Sequence, residues 1–222
     1  MKLKPKRFAV IGLGNFGYHI ARSLYEGGDQ VLAIDVDRAK VQAIDAHCTE
    51  AVVLDATDSK ALDALGILEL DAVVVAIGSR ISSSILVCLH LHELGVKKIV
   101  AKAMDDDHEK ILRKVGATEI IHPERDMARR VSRGLSKPNV LDYIPLGDEF
   151  DIVQVSPPQE FIGKTLKDLD LRARYAVHVI AVRDRVSGNN IVIPSAEKVI
   201  TENDTLMILG RSSDLRKSGV IK

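Results

Sequence analysis

The stretch Arg7–Leu24, RFAVIGLGNFGYHIARSL, constrains the fold more than any other part of the chain. RFAVIG is a continuous apolar run, the signature of a strand buried on both faces. It ends in G-L-G-N-F-G and passes at once into a helical pattern with Gly17, Ile20, Ala21 and Leu24 on one side. In this G-x-G-x-x-G arrangement Gly12 makes the tight turn out of the strand. Gly14 leaves room for a phosphate against the backbone, and Gly17 lets the helix pack closely on the sheet. The helix start then offers N–H groups and the positive end of its dipole to an anion. The glycine motif alone is weak; its position between a strand and a helix gives it meaning.

The alternation continues. QVLAIDV, EAVVLD, DAVVVAIG, KKIVAKA and TEIIHP read as five more strands, separated by helical patterns near 37–46, 58–65, 81–94 and 106–115. Along 81–94, Ile81, Ile85, Cys88 and Leu89 are expected to share the inward face. A last helix is expected from Pro123 to Leu135. Six strands alternating with helices predict an α/β fold, a doubly wound parallel sheet of Rossmann type. The pattern changes at LSKPNVLDYIPLGDEF, whose prolines and glycine read as a connector. Beyond it, DIVQVS, AVHVIAVRD, NIVIP and DTLMILG are strand-like and IGKTLKDLDL is helical. The expected organisation is a nucleotide-binding domain over 1–137, a linker over 138–148 and a smaller β-rich α+β domain over 149–222.

Asp35 ends the second strand, where a carboxylate accepts hydrogen bonds from ribose hydroxyls. Val36 and Asp37 follow it, so no arginine stands immediately beside it to receive a 2′-phosphate, which disfavours NADP. Asp55, Ala56 and Thr57 end strand three, and Ala76, Ile77 and Gly78 with Ser79 end strand four. That edge is where open parallel sheets bind ligands. Lys102 ends strand five and Glu124 follows strand six.

Composition excludes several classes. Lys plus Arg and Asp plus Glu each total 31, Trp is absent and aromatics are 4% of the chain. A balanced charge with few stacking platforms argues against a nucleic-acid partner. No apolar run approaches the ~18 residues a membrane span needs, and the basic N-terminus meets glycines too soon for a signal peptide. The chain reads as cytoplasmic. His90 and His92 point to different sides of a helix, and no H-x-x-x-H or C-x-x-C occurs, so no histidine–cysteine metal set is expected. Ser82, Ser83 and Ser84 read as the first turns of a helix rather than as nucleophiles.

Taken in order, FAVIGLGNFG, VLAIDVD, LDATD, VVVAIG and IIHPERDMA, then IGKTLKDLDLRARYAVHVIAVRD, IP and DTLMILG, resemble the regulatory subunits of Trk/Ktr-type potassium uptake systems, built from an RCK N-terminal and an RCK C-terminal domain. The resemblance covers nearly the whole chain. It implies a nucleotide-sensing regulatory subunit rather than an enzyme, one that gates a membrane potassium translocator formed by another chain. It implies a homo-oligomer, a dimer assembling into an octameric ring, held at the inner face of the membrane through that partner. NAD(H), ATP, ADP or AMP would occupy the glycine-loop site, with Gly12, Gly14, Asn15, Phe16, Gly17, Asp35, Val36, Asp55, Ala56, Thr57, Ala76, Ile77, Gly78 and Lys102 around it. Glu124 matches an acidic residue near a divalent or monovalent cation at the dimer interface in some members. Many ATP-sensing relatives read G-L-G-R-F-G; Asn15 stands where they carry arginine, and a neutral amide lacks that side chain's charge and fork. The alternative is a small NAD-dependent oxidoreductase using His122 or Lys102 as acid or base.

Overall fold

A computed structural model describes residues 4–78, 80–137, 139–147 and 149–221. Ser79, Pro138 and Asp148, which the sequence reading placed in the fourth strand's loop and in the linker, lie outside the described residues. The chain forms two compact units, residues 1–124 and 125–222.

The first unit alternates β1 (Arg7–Ile11), α1 (Asn15–Glu26), β2 (Gln30–Asp35), α2 (Arg38–Ile44), β3 (Glu50–Val53), α3 (Ser59–Ala64), β4 (Ala72–Val75), α4 (Ile81–Glu93), β5 (Ile99–Lys102), α5 (Asp106–Lys114) and β6 (Glu119–Ile121). The six strands pair in parallel in the order β3-β2-β1-β4-β5-β6. This is the doubly wound order with a switch point between β1 and β4, where ligands bind at the carboxyl ends of the strands. Both faces are buried because side chains alternate along each strand. Ala9, Ile11, Val73 and Val75 enter one core with Val87, Cys88 and Leu112 from the helices. Val10, Val31, Ala33 and Val74 enter the other with Ala21, Val41 and Ile44.

The inward face of α4 differs from the sequence expectation. Ser84, Val87, Cys88 and Leu91 are buried, while Ile81 is 41% exposed. The helix is apolar nearly all round, so its periodicity does not single out the buried stripe. Asp37, Asp58 and Asp105 start α2, α3 and α5 by accepting N–H bonds from the first turn of each, as good N-caps do.

The unit boundary also differs. The parallel sheet is complete at β6, and α6 (Pro123–Ser136) begins directly after it, with most of its length in the second unit. The span read as a linker contains β7 (Val140–Leu146). Asp142 and Pro145 break its apolar pattern, which hides it in the sequence. It pairs antiparallel with β8 (Phe150–Val155) at one edge of a sheet in the order β10 (Asn190–Val192), β9 (His178–Asp184), β11 (Asp204–Arg211), β8, β7, and an edge is where a strand tolerates proline. The other elements are α7 (Leu166–Leu169), α8 (Leu171–Tyr175) and α9 (Ser212–Lys217). Val153, Val155, Val182, Leu206 and Ile208 form the core with Phe161, Leu169 and Leu215. No helix among the described residues is long and apolar enough to cross a membrane.

Candidate functional site

The glycine turn leaves β1 beside the start of the loop after β4. Gly12 has φ +94°, a conformation that favours glycine, and a Cβ there would stand 3.0 Å from both Ile77 N and Ile77 Cγ1. A Cβ on Gly17 would fall 1.8 Å from the Gly12 carbonyl oxygen. These two glycines are packing requirements. Gly14 is different: a Cβ there would meet nothing within 4 Å. Gly14 is also the N-cap of α1, and no side chain caps that helix. The first N–H groups of a helix have no intrahelical partner, so open space and unclaimed donors coincide at one point. The residues fit a phosphate there. Asn15 is exposed at the first position of α1, and no acidic residue occupies the first turn.

Asp35 lies at the end of β2, 8% exposed. Its Oδ2 accepts from Leu13 N–H at 2.7 Å and its Oδ1 from Asp37 N–H at 2.9 Å. The carboxylate expected to read a ribose therefore also fixes the glycine loop, through a residue inside G-L-G. Lys40 faces Asp35 Oδ2 at 3.5 Å. Sequence reasoning looked only at the positions next to Asp35 and missed it. The signal was available: Asp37 caps α2, so Lys40 is in its first turn, and helical side chains lean back toward the N-terminus.

The other expected residues fall into two groups. Beyond β4 and β5, Ala76 is buried and Ile77 packs against Gly12, while Gly78 faces Lys102, whose Nζ is 3.4 Å from the position of a Cβ on Gly78. The Lys102 ammonium is 5.9 Å from the centre of the Phe16 ring and is ion-paired with Glu124. Lys102 is buried and Glu124 mostly exposed, and the Lys102 hydrogen bond holds the Glu124 carboxyl below its ordinary range. The positive charge that the structure gives Glu124 is this ammonium. In the second group, Asp55 Oδ1 accepts from the Thr57 N–H at 3.0 Å and the Thr57 hydroxyl at 2.7 Å. Those bonds lower the Asp55 pKa and build a turn around the buried Ala56. Val36 is 43% exposed just past β2.

Two histidines are committed elsewhere. His108 is buried; its Nδ1 accepts from the Met104 N–H at 3.2 Å. Its Nε2 therefore carries the proton and donates to Ser84 Oγ at 2.9 Å, while that hydroxyl donates to the Ile81 carbonyl at 2.9 Å. Burial, the largest influence, lowers the His108 pKa. His122 Nε2 meets Glu109 Oε2 at 2.6 Å, and Arg113 binds Glu109 Oε1 at 2.8 and 3.0 Å. Asp106 adds a third ligand-type atom, all three within 4.8 Å of one another, but Arg113 already brings positive charge to Glu109.

Fold and cradle together define a Rossmann-type protein with an appended antiparallel module. The chain belongs to the family of Trk/Ktr potassium uptake proteins: residues 8–123 match the TrkA-N domain and residues 152–218 the TrkA-C domain. It is 43% identical over 213 residues to Ktr system potassium uptake protein C of Bacillus subtilis, covering 96% of this chain and 95% of that one. It is 40% identical over 216 residues to Ktr system potassium uptake protein A of the same organism, covering 97% and 96%. Among solved structures, the GsuK channel bound to NAD superposes with a TM-score of 0.67 at 19% identity, over 96% of this chain and 38% of that one. This chain spans well under half of the GsuK polypeptide, and the likeness is one of fold.

Proposed function

We propose that this protein is the nucleotide-sensing regulatory subunit of a potassium uptake system. The observation that carries the reading is the coincidence at Gly14 of open space and an uncapped helix start, in a chain related along almost its whole length to Ktr proteins. NAD(H) or an adenine nucleotide (ATP, ADP or AMP) would place its phosphates at Gly14 and its adenosine ribose at Asp35. Asn15, Phe16, Val36, Asp55, Thr57, Gly78 and Lys102 would surround it. A cation near Glu124 would have to compete with the Lys102 ammonium. The work is done by linkage: nucleotides that prefer different shapes of a homo-oligomeric ring bias a membrane translocator that also prefers one shape. A coupling of ~1–3 kcal/mol changes gating from several-fold to about a hundredfold. The subunit is cytoplasmic and meets the membrane through that partner.

An oxidoreductase would need an acid or base placed against its substrate. The two side chains named for that role are held in ion pairs, Lys102 with Glu124 and His122 with Glu109. The test is potassium uptake by cells carrying the translocator together with either this subunit or its Gly14→Val variant, paired with calorimetric titration of both proteins with NADH, ADP and ATP. The reading expects binding and nucleotide-dependent uptake in the first and loss of both in the second. Equal binding by both proteins would overturn it.

A further inference from the structure

The carboxylate at the end of β2 has little acceptor capacity left. An ionised carboxylate offers about four lone-pair sites. On Asp35, Leu13 N–H and Lys40 face Oδ2 and Asp37 N–H takes one site on Oδ1. One site remains, whereas a ribose presents two neighbouring hydroxyl donors. The two backbone bonds are short and belong to the loop and the turn, so they stay. The Lys40 contact is long, at 3.5 Å, and its side chain is 45% exposed. A pair of this kind contributes little, and a flexible four-carbon stem lets it open.

We propose that Lys40 is a specificity-determining residue of the nucleotide site. It occupies the ribose-reading carboxylate when no nucleotide is present, yields it to the ribose hydroxyls, and keeps its positive charge at the 2′ edge. This rests on the nucleotide reading of the site. Two consequences run in opposite directions. For a ligand with a free 2′-hydroxyl, Lys40 is a competitor, and its removal tightens binding. For a ligand with a 2′-phosphate, Lys40 is the only one of the two side chains with a favourable charge. Its removal leaves the dianion facing Asp35 alone and weakens binding.

The experiment titrates the full chain, Lys40→Met and Lys40→Arg with NADH and with NADPH near physiological ionic strength. There, charges more than about 8 Å apart are largely screened, so distant phosphates matter little. Lys40→Met is expected to bind NADH about two- to fivefold more tightly, the size of a weak ion pair with one partner exposed, and NADPH more weakly. Lys40→Arg should keep the unsubstituted ratio. A purely structural role would move both ligands the same way, and that result, or an unchanged ratio in Lys40→Met, overturns the inference. Failure of the unsubstituted chain to bind NADH would also overturn the inference, and failure to bind ADP and ATP as well would overturn the nucleotide reading on which it rests.

Discussion

Gly17 and Gly12 lie so close that a methyl carbon on Gly17 would stand 1.8 Å from the Gly12 carbonyl oxygen. That oxygen belongs to backbone held between strand and helix and cannot swing aside like a side-chain tip. Gly17→Ala gains ~1 kcal/mol of helix propensity but forces the helix off the sheet, a misfit that costs about 1–3 kcal/mol or more. We expect a net loss of stability, read as a lower urea midpoint. Gly14→Ala, with open space around its Cβ, should keep the stability within about 0.5 kcal/mol of the original. A stable Gly17→Ala would mean that helix and sheet are not packed this closely.

On the proposed nucleotide reading Asp35 has two duties, and its removal should show both. Asp35→Ala loses a charged acceptor for the ribose, worth roughly 1.5–3 kcal/mol, and weakens ADP and NADH alike because both carry the adenosine ribose. It also leaves the Leu13 N–H without its 2.7 Å partner, so the glycine loop should exchange its amide hydrogens faster. Hydrogen exchange at Leu13 with unchanged protection would restrict Asp35 to the ligand.

The buried His108 makes stability depend on pH. Its folded pKa lies below its ordinary 6.5, mainly through burial, with His122 adding to the shift and Asp105 opposing it. Such a base is protonated first in the unfolded chain. Its contribution is complete above about pH 6.5 and is lost as pH falls from there through the folded pKa, at no more than about 1.4 kcal/mol per pH unit. Glu109, Asp55 and Glu124 have pKa values pushed below the ordinary carboxylate range, so they act at lower pH. Urea midpoints at pH 7.5 and 5.5 should fall less in His108→Gln than in the original protein. Equal falls would show that another group is responsible.

To the γ-phosphate of a nucleotide bound as proposed, Asn15 would offer a neutral amide, and charged donors make hydrogen bonds about twice as strong. ATP and ADP affinities should therefore differ by less than about tenfold, or ~1.4 kcal/mol. Asn15→Arg should favour ATP when both proteins are titrated with both nucleotides. A strong ATP preference in the unsubstituted protein would assign γ-phosphate sensing to another group, with the buried Lys102 as the first to test.

What could be read in the sequence was what is written in contiguous residues. Parallel strands buried on both faces are unbroken apolar runs, so β1, β2 and β4 stand out, and the glycines and Asp35 follow from their positions beside them. What was hidden depends on chain-distant or weakly patterned contacts. Pro145 and Asp142 disguise β7 until its edge position is known. The apolar surface of α4 conceals which stripe is inward. The hydrogen bonds from Leu13 to Asp35 and between His108 and Ser84 join residues more than 20 positions apart, and no local pattern announces them.

The strand order has a consequence for synthesis. Among the strands of this sheet β1 emerges from the ribosome before the others, and β2 follows it closely, but the other neighbour of β1 is β4. Residues 12–71 must be translated before that neighbour begins, which at about 5–20 residues per second takes roughly 3–12 s. During that interval one side of the nascent central strand presents bare N–H and C=O groups along an apolar segment, a template for mispairing with another chain. β1 waits several seconds for its second partner, and protection during that delay must come from outside the finished sheet.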